Sequence, residues 1–169
     1  LRDLIAGELV QNDREYQYLG KNVDDDNLLI GPKYERIKFQ DSYFYFNKNI
    51  KYVHDKEKKE FNIFQTKPGA RAFFYEGMLK DINVNFYGYK NEVKLEPPNY
   101  PMDQRGLTGC LSLIHLNLKN ISIKSDKSSC EDAVNLINVE GSLNEINIID
   151  SFRDGLDIDF SKVEINYIN

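Results

Sequence analysis

The sequence predicts an all-β fold, namely a right-handed parallel β-helix (solenoid) with an irregular N-terminal β-rich cap or early rungs. Three observations predict it: a short apolar motif recurs, a strand-like segment precedes each copy, and polar turns separate the two. Repeats of roughly 20–45 residues built from short elements are typical of solenoid proteins. The right-handed sense follows from the general preference of crossovers between parallel strands.

The recurring motif is Leu-x-x-Ile-x-(Val/Ile). Its copies begin at Leu79, Leu118 and Leu143, and a weaker copy begins at Val163. Residues 118 and 143 are 25 positions apart and residues 143 and 163 are 20 apart, whereas the first interval, 79 to 118, is 39. We therefore expect positions 79, 118, 143 and 163 to start equivalent strands, with an insertion between the first two copies.

The strand-like segments cover residues 72–75, 110–114, 133–137 and 155–160. Apolar residues alternate in them, which is the period of a half-buried strand. In the last two segments we expect Val134, Leu136, Leu156 and Ile158 to point inward, and Asn135 to lie beside Asp157 on the outside. Asp132 and Asp154 come just before these two segments and should mark equivalent turns.

The predicted organisation has two parts. Residues 1–70 form the cap or irregular early rungs, with a short helix over 1–10 and strands near residues 28–30, 37–39, 43–46, 50–53 and 61–64. Residues 71–169 form the β-helix rungs, with an insertion loop at 88–108 that holds three prolines. Because the chain starts with Leu1 and stops within a repeat, we expect a fragment that is truncated at its C-terminal end and continues into further rungs.

Composition argues against some partners. The net charge is −5, and the one dense basic run (Lys56, Lys58 and Lys59) is interleaved with glutamates, which predicts a solvated turn. A nucleic-acid partner is therefore not expected. No run approaches the ~18 apolar residues of a membrane span.

For Cys110 and Cys130 we expect small buried side chains, with a disulfide bridge between them as the less favoured alternative.

Two segments carry a family resemblance. The sequences Glu-Asp-Ala-Val-Asn-Leu-Ile at 131–137 and Arg-Asp-Gly-Leu-Asp-Ile-Asp-Phe-Ser at 153–161 resemble successive rungs of bacterial proteins in the pectin-lyase-like superfamily. The likeness covers about residues 107–169. It implies a right-handed parallel β-helix module of a secreted or cell-surface protein, carbohydrate-binding or structural, whose partner is a polysaccharide or cell-surface glycan. The alternative that it implies is a polysaccharide lyase, glycoside hydrolase or epimerase with an acidic site on the strand face.

The acidic cluster is the main candidate site. Asp132, Asp154, Asp157 and Asp159 are the candidate catalytic residues, because paired carboxylates can serve as general acid and base. A second hypothesis is a Ca²⁺ site at Asp157 and Asp159, since calcium prefers oxygen ligands; lyases of the resembled superfamily hold their substrate through such an ion. The third hypothesis is architectural: Asp132 and Asp154 cap turns, while Asp157 and Asp159 are solvated. No other cofactor is expected.

Candidates for substrate binding are Arg153, beside the acidic cluster, and Tyr100 and Arg105 in the insertion loop. Tyr87 and Tyr89 are further rings that could stack on a sugar. Loops that project from a regular scaffold commonly carry binding residues. His54 and His115 have no second ligand at metal-binding spacing, and we expect both to be surface or turn residues.

Overall fold

The structure, a computed structural model, describes residues 34–89, 103 and 106–169. These residues contain ten strands and no helix, hence none that could span a membrane. The strands are β1 (Tyr34–Phe39), β2 (Ser42–Asn47), β3 (Ile50–Asp55), β4 (Glu60–Gln65), β5 (Ala72–Tyr87), β6 (Gly109–Asp126), β7 (Asp132–Ile137), β8 (Glu140–Ile149), β9 (Asp154–Asp159) and β10 (Lys162–Ile165). The all-β prediction is confirmed for this part of the chain, while the predicted helix at 1–10 and strand at 28–30 lie outside it.

The ten strands form one mixed sheet in which the C-terminal strands are stacked in parallel. β6 pairs with β5 from one end to the other, β7 and β8 pair with the first and last parts of β6, and β9 and β10 pair with β7 and β8. The chain therefore follows the same path four times. We call these passes repeats one (β5), two (β6), three (β7 and β8) and four (β9 and β10).

Each repeat bends at a residue with a left-handed backbone. The first bend is formed by Glu76, His115, Asn138 and Phe160, whose φ angles are 61°, 55°, 50° and 52°. This conformation is uncommon outside glycine and is tolerated best by Asn and Asp. At the second bend, exposed side chains of successive repeats are joined by hydrogen bonds. Asn120 Nδ2 donates to Asp81 Oδ1 at 2.8 Å, and Asn144 Nδ2 donates to Asn120 Oδ1 at 2.5 Å.

The inward-facing side chains form one continuous core. In repeats two and three it is aliphatic, whereas at the β1–β4 end it is aromatic, built from Phe39, Phe44, Phe61 and Phe74. The ring centroids of Phe39 and Phe61 are 4.5 Å apart, and those of Phe44 and Phe74 are 4.8 Å apart. Such edge-on and tilted pairs contribute about 0.5–1.5 kcal/mol each beyond the burial of their surface.

The segment before repeat one consists of two antiparallel hairpins, β1–β2 and β3–β4. β2 pairs with the start of β5 in the antiparallel sense, and β4 pairs with the end of β5 in the parallel sense. The sequence predicted these four strands but not their pairing. The two-residue turn Gln40–Asp41 has none of the Asn-Gly or Asp-Gly signals that reveal a tight hairpin.

The predicted register is confirmed between the first strands of repeats three and four, where Asp132 pairs with Asp154 and Asn135 with Asp157. The motif register is confirmed between Leu79 and Leu118, and Val163 lies in the same register through Gly141.

The predicted equivalence is wrong for Leu143 and holds for the other three positions. Leu118 pairs with Gly141, which in turn pairs with Val163, whereas Leu143 pairs with Ile121. β6 and β8 pair at a separation of 23 residues on both sides of a local irregularity at Ile121 (141 − 118 and 149 − 126), whereas the motif predicted 25. A difference of two leaves every side chain on the same face, so an apolar pattern cannot reveal it.

Cys110 and Cys130 form a disulfide, with their Cα atoms 5.3 Å apart. Both are fully buried as predicted, but the preference for unpaired thiols is wrong. The turn between β6 and β7 brings Cys130 beneath the start of β6, a proximity that two isolated cysteines in a sequence do not reveal. Closing a loop across this separation of 20 residues stabilises the fold by about 3 kcal/mol on a chain-entropy estimate.

Candidate carboxylate site

The candidate acidic residues lie on the outer face of the sheet formed by β6, β7 and β9. Two rows of side chains cross these strands. One row contains Ser112, Asn135 and Asp157, and the other contains Ile114, Ile137 and Asp159. We call the surface that carries these rows the outer face.

A break in the strand alternation adds Asp132 to this face. Ala133 and Val134 are consecutive, yet both lie in the core, and the same holds for Cys110 and Leu111. Asp132 and Gly109, which directly precede these two pairs, therefore lie on the outer side. A Cβ atom on Gly109, the partner of Asp132 in β6, would lie 2.7 Å from Ser112 Oγ and 3.0 Å from Asn135 Cβ. The sequence correctly grouped the aspartates, but the strand period alone would have placed Asp132 inside.

Asp132 is a buried carboxyl group, only 4% exposed. Burial raises the pKa of this carboxyl group, the Thr108 hydroxyl lowers the pKa in part by a hydrogen bond, and the negative charges of Asp157 and Asp154 raise the pKa further. Asn135 extends the network, because its Nδ2 donates to Thr108 Oγ1 at 3.0 Å and to Asp157 Oδ2 at 3.3 Å. Thr108 and Asn135 therefore connect the buried carboxyl group to Asp157.

Two buried polar atoms beside this network have no hydrogen-bond partner among the residues that the structure describes. They are Asn135 Oδ1 and Ser112 Oγ, and their side chains are 3% and 1% exposed. Leaving a buried donor or acceptor unsatisfied costs about 1–3 kcal/mol, and such groups are few in folded proteins.

Asp157 and Asp159 form a pair of carboxyl groups at the half-buried edge of the outer face. Burial raises the pKa of Asp159 most, and the charge of Asp157 and a hydrogen bond between the two side chains raise that pKa further. A hydrogen bond between two carboxyl groups needs a proton on one of them. The next residue, Phe160, lies at the bend and is 85% exposed.

The other predicted binding residues do not join this pair. Arg153 Nη1 donates to both carboxylate oxygens of Glu131 at 2.9 and 2.8 Å, so its charge is paired on the preceding turn. Tyr100 and Arg105 lie outside the described residues. Tyr87 stacks on Phe64 with ring centroids 5.2 Å apart, away from β9. The backbone N–H of Tyr89 donates to Gln65 Oε1 at 3.0 Å.

The outer face continues across β5 and β2 as an aromatic surface. Tyr45 stacks on Phe73 with a centroid distance of 4.7 Å, and Tyr75 meets the His115 ring edge-on at 5.8 Å. Leu107 packs over Phe73 and the two isoleucines of the second row. It therefore separates the aromatic end of the outer face from the carboxyl end. His115 is a bend residue as predicted, and its Nδ1 lies 2.6 Å from Asn138 Nδ2.

Among the described residues, no group of three or more His, Cys, Asp or Glu side chains is arranged to hold a metal ion. The calcium hypothesis for Asp157 and Asp159 stays a prediction. Sequence reasoning missed Thr108, Ser112 and Phe160. Ser112 could have been found by aligning the strand-like segments, because it occupies the position of Asn135 and Asp157.

Comparisons with known proteins find no matching family model and no similar curated protein or solved structure. The function of the outer face is therefore argued from its own geometry.

Proposed function

We propose that this chain is a module of a parallel β-helix solenoid, in a secreted or cell-surface protein, that binds a polysaccharide or cell-surface glycan on its outer face. The solenoid part of the proposal is supported by four parallel passes of the chain and by left-handed bends at equivalent positions. A stack of this kind presents a long surface, as solenoid proteins that bind extended partners do.

The observation that carries the binding proposal is the carboxyl pair of Asp157 and Asp159 beside the exposed ring of Phe160. Carboxyl oxygens accept hydrogen bonds from neighbouring sugar hydroxyls. The electron-rich face of an aromatic ring packs against the polarised C–H groups of a sugar ring. A binding site that combines an aromatic side chain with a few convergent polar groups suits a sugar ligand.

The outer face has two exposed ends with a buried stretch between them. Tyr75 and Asp159 occupy one row on β5 and β9, three strand spacings apart, which is about 14 Å at the usual separation of strands. Both residues are partly exposed, whereas Ile114 and Ile137 between them are buried. The proposed glycan therefore contacts the carboxyl end, where Asp157, Asp159 and Phe160 lie.

The disulfide supports the proposed location. Disulfides persist in oxidising surroundings such as the bacterial periplasm or the cell exterior, and they are rare in the reducing cytosol. The bridge between Cys110 and Cys130 is fully buried in the core.

A catalytic role is the second candidate, because two neighbouring carboxyl groups can serve as general acid and base. Binding is favoured, because the cation that adjoins the acidic cluster in sequence is already engaged: Arg153 is paired with Glu131.

Affinity electrophoresis of the full chain against a panel of neutral and uronate-containing polysaccharides tests the proposal. Asp157→Asn, Asp159→Asn and Phe160→Ala should each reduce retardation, with a loss of affinity of about tenfold where a charge-assisted hydrogen bond is removed. Glu164→Gln and Tyr167→Ala remove an exposed carboxylate and an exposed ring elsewhere in the C-terminal part, and should bind normally.

Two results would contradict the proposal: no retardation by any polysaccharide, or equal retardation of the site variants and their controls. Analysis of the incubated polysaccharide for new reducing ends or unsaturated products tests the catalytic candidate. Repeating the assay with added calcium and with a chelator tests the metal hypothesis.

A further inference from the structure

A cavity lies where the two hairpins meet repeat one, at residues that are distant in sequence from the carboxylate site. It has a volume of about 560 Å³. Its walls come from the β1–β2 turn (Gln40 and Asp41), the β3–β4 hairpin (His54, Lys56 and Lys59) and the second bend of β5 (Lys80 and Asp81). Three separate turns therefore converge on one opening.

Hydrogen bonds to the backbone hold these walls in place. Gln40 Nε2 donates to the Lys80 carbonyl oxygen at 2.9 Å, and the Lys80 N–H donates to Gln40 Oε1 at 2.8 Å. The N–H of Asn83 donates to the Lys59 carbonyl oxygen at 2.9 Å. The backbone of the walls is thus held in place, whereas the side chains of Lys56, Lys59 and Lys80 are exposed.

Each of the three turns has a non-glycine residue in the left-handed conformation. Gln40, Lys59 and Asp81 have φ angles of 53°, 53° and 52°. A left-handed backbone costs a side-chain-bearing residue roughly 1–2 kcal/mol. The same conformation occurs at the other bends of the chain, such as Glu76 and Asn138, and here it sets the direction of the three turns.

The cavity concentrates positive charge in an acidic protein. Three of its lining residues are lysines, whereas the whole chain carries a net charge of −5. Lys58 in the same turn pairs with Asp55 at 3.7 Å. Lys56, Lys59 and Lys80, in contrast, form no ion pair within 4.0 Å in the described part of the chain. Their charges are left for a ligand, and an anion is the complementary partner.

The other groups that line the cavity narrow the range of possible ligands further. Asp41 and Asp81 add acceptors, although Asp81 Oδ1 already accepts from Asn120 Nδ2 at 2.8 Å. Asp41 and Asp81 can accept hydrogen bonds from ligand hydroxyl groups, which a simple inorganic anion lacks. His54 contributes a ring that is fixed edge-on against Phe39, with centroids 4.9 Å apart, and offers a flat surface.

We propose that this cavity binds an acidic saccharide unit, that is, a hydroxylated sugar ring that bears a carboxylate or sulfate group. The lysines bind the anionic group, Asp41 and Asp81 accept hydrogen bonds from the hydroxyls, and the ring rests against His54. The cavity shares no residue with the carboxylate site. The proposal therefore stands or falls independently of glycan binding on the outer face.

Amide NMR titrations of the full chain test the proposal with four defined probes: glucuronate, glucose 6-sulfate, glucose and inorganic sulfate. The two acidic sugars should shift the amide signals of Lys80 and Ile82 in a saturable way. Glucose, which lacks the charge, and sulfate, which lacks the hydroxyls, should bind at least tenfold more weakly.

The double variant Lys59→Gln/Lys80→Gln should lose at least tenfold in affinity for glucuronate. Lys162→Gln, which removes an exposed lysine of β10, should bind as the unchanged protein does. Amide spectra without ligand establish that the double variant folds. Sulfate binding as tightly as glucuronate, no shift near Lys80, or an equal loss in Lys162→Gln would each overturn the proposal.

Discussion

At the scale of single residues, the carboxylate site is a polar network in which no described side chain forms an ion pair with Asp132. Asp132 is buried, its hydroxyl partner is Thr108, and the adjacent charges of Asp154 and Asp157 are of the same sign. Burial and like charges both disfavour the ionised carboxylate, and carboxyl groups with such perturbed pKa values are candidates for functional sites. In the proposed function, the role of Asp132 is to position Asp157 through Asn135 and Thr108.

The pH dependence of stability tests the state of Asp132. Because its pKa is raised in the folded protein, the folded state binds the proton more tightly than the unfolded state. The free energy of unfolding should therefore fall as the pH rises from 3.8, the ordinary pKa of an aspartate side chain, through the raised pKa of the folded protein. Asp132→Asn should remove part of this slope and add on the order of 0.5 kcal/mol at pH 7, since like charges on neighbouring strands repel.

Urea unfolding between pH 3.5 and 7.5 measures this effect. Some slope should remain in Asp132→Asn, because the pKa of Asp159 is raised in the same direction. Glu140→Gln removes an exposed carboxylate of β8 and controls for the change in net charge. A lower stability of Asp132→Asn at pH 7 would show that the carboxylate is stabilising and that the assigned cause is wrong.

The sequence was sufficient to find the four aspartates but not their surroundings. Their spacing placed Asp132 beside Asp154 and Asn135 beside Asp157, and both pairs are present. Thr108 carries no comparable signal, because it comes from an irregular segment before β6 that approaches the site only in three dimensions. The lysine cavity was missed for the same reason: Lys56 and Lys59 were predicted to lie in a solvated turn, and Lys80 is distant from them in sequence.

At the scale of elements, β8 approaches β6 closely at Gly141. Its φ is +107°, and a Cβ atom there would lie 2.1 Å from the carbonyl oxygen of Leu118. Only glycine fits such a close approach of two backbones. The apolar motif begins two residues later, at Leu143, which is why it suggested a register that is two residues wrong.

Gly141→Ala should therefore destabilise the protein by at least about 2 kcal/mol, because it combines backbone strain with a clash against β6. Gly155→Ala is the matched control. Gly155 has no positive φ, its added methyl group would be 3.6 Å from the nearest atoms, and its stability should change by less than about 0.5 kcal/mol. Thermal unfolding followed by circular dichroism measures both, and equal midpoints for the two variants would refute the assigned role of Gly141.

Strand positions were predictable because each strand contains its own apolar alternation, whereas pairing depends on contacts between distant segments. The strands over residues 34–65 were predicted individually, yet their arrangement as two antiparallel hairpins was not. The turns have left-handed Gln40 and Lys59 where glycine or asparagine would be expected. The ligand proposed for the adjacent cavity would be one reason to retain this unfavourable turn chemistry.

At the scale of the whole molecule, burial falls along the stack of repeats. All six residues of β7 are buried, whereas none of β9 is. Leu136 and Ile158 occupy the same inward row, yet Leu136 is fully buried and Ile158 is 43% exposed. In a stack where each repeat contacts only its neighbours, stability is close to a sum of repeat and interface terms. The fourth repeat therefore has fewer stabilising contacts than the second or third.

Native-state hydrogen exchange should reveal this gradient. Amides of β6 and β7 should exchange only by global unfolding, while those of β9 and β10 should exchange faster through local opening. Ile158→Ala should accelerate exchange in β9 and β10 alone. Leu136→Ala creates a cavity in the third repeat and should lower protection throughout by about 2–5 kcal/mol. Equal protection of all four repeats, or a global effect of Ile158→Ala, would mean that the sheet unfolds as one cooperative unit and that the stack is not additive.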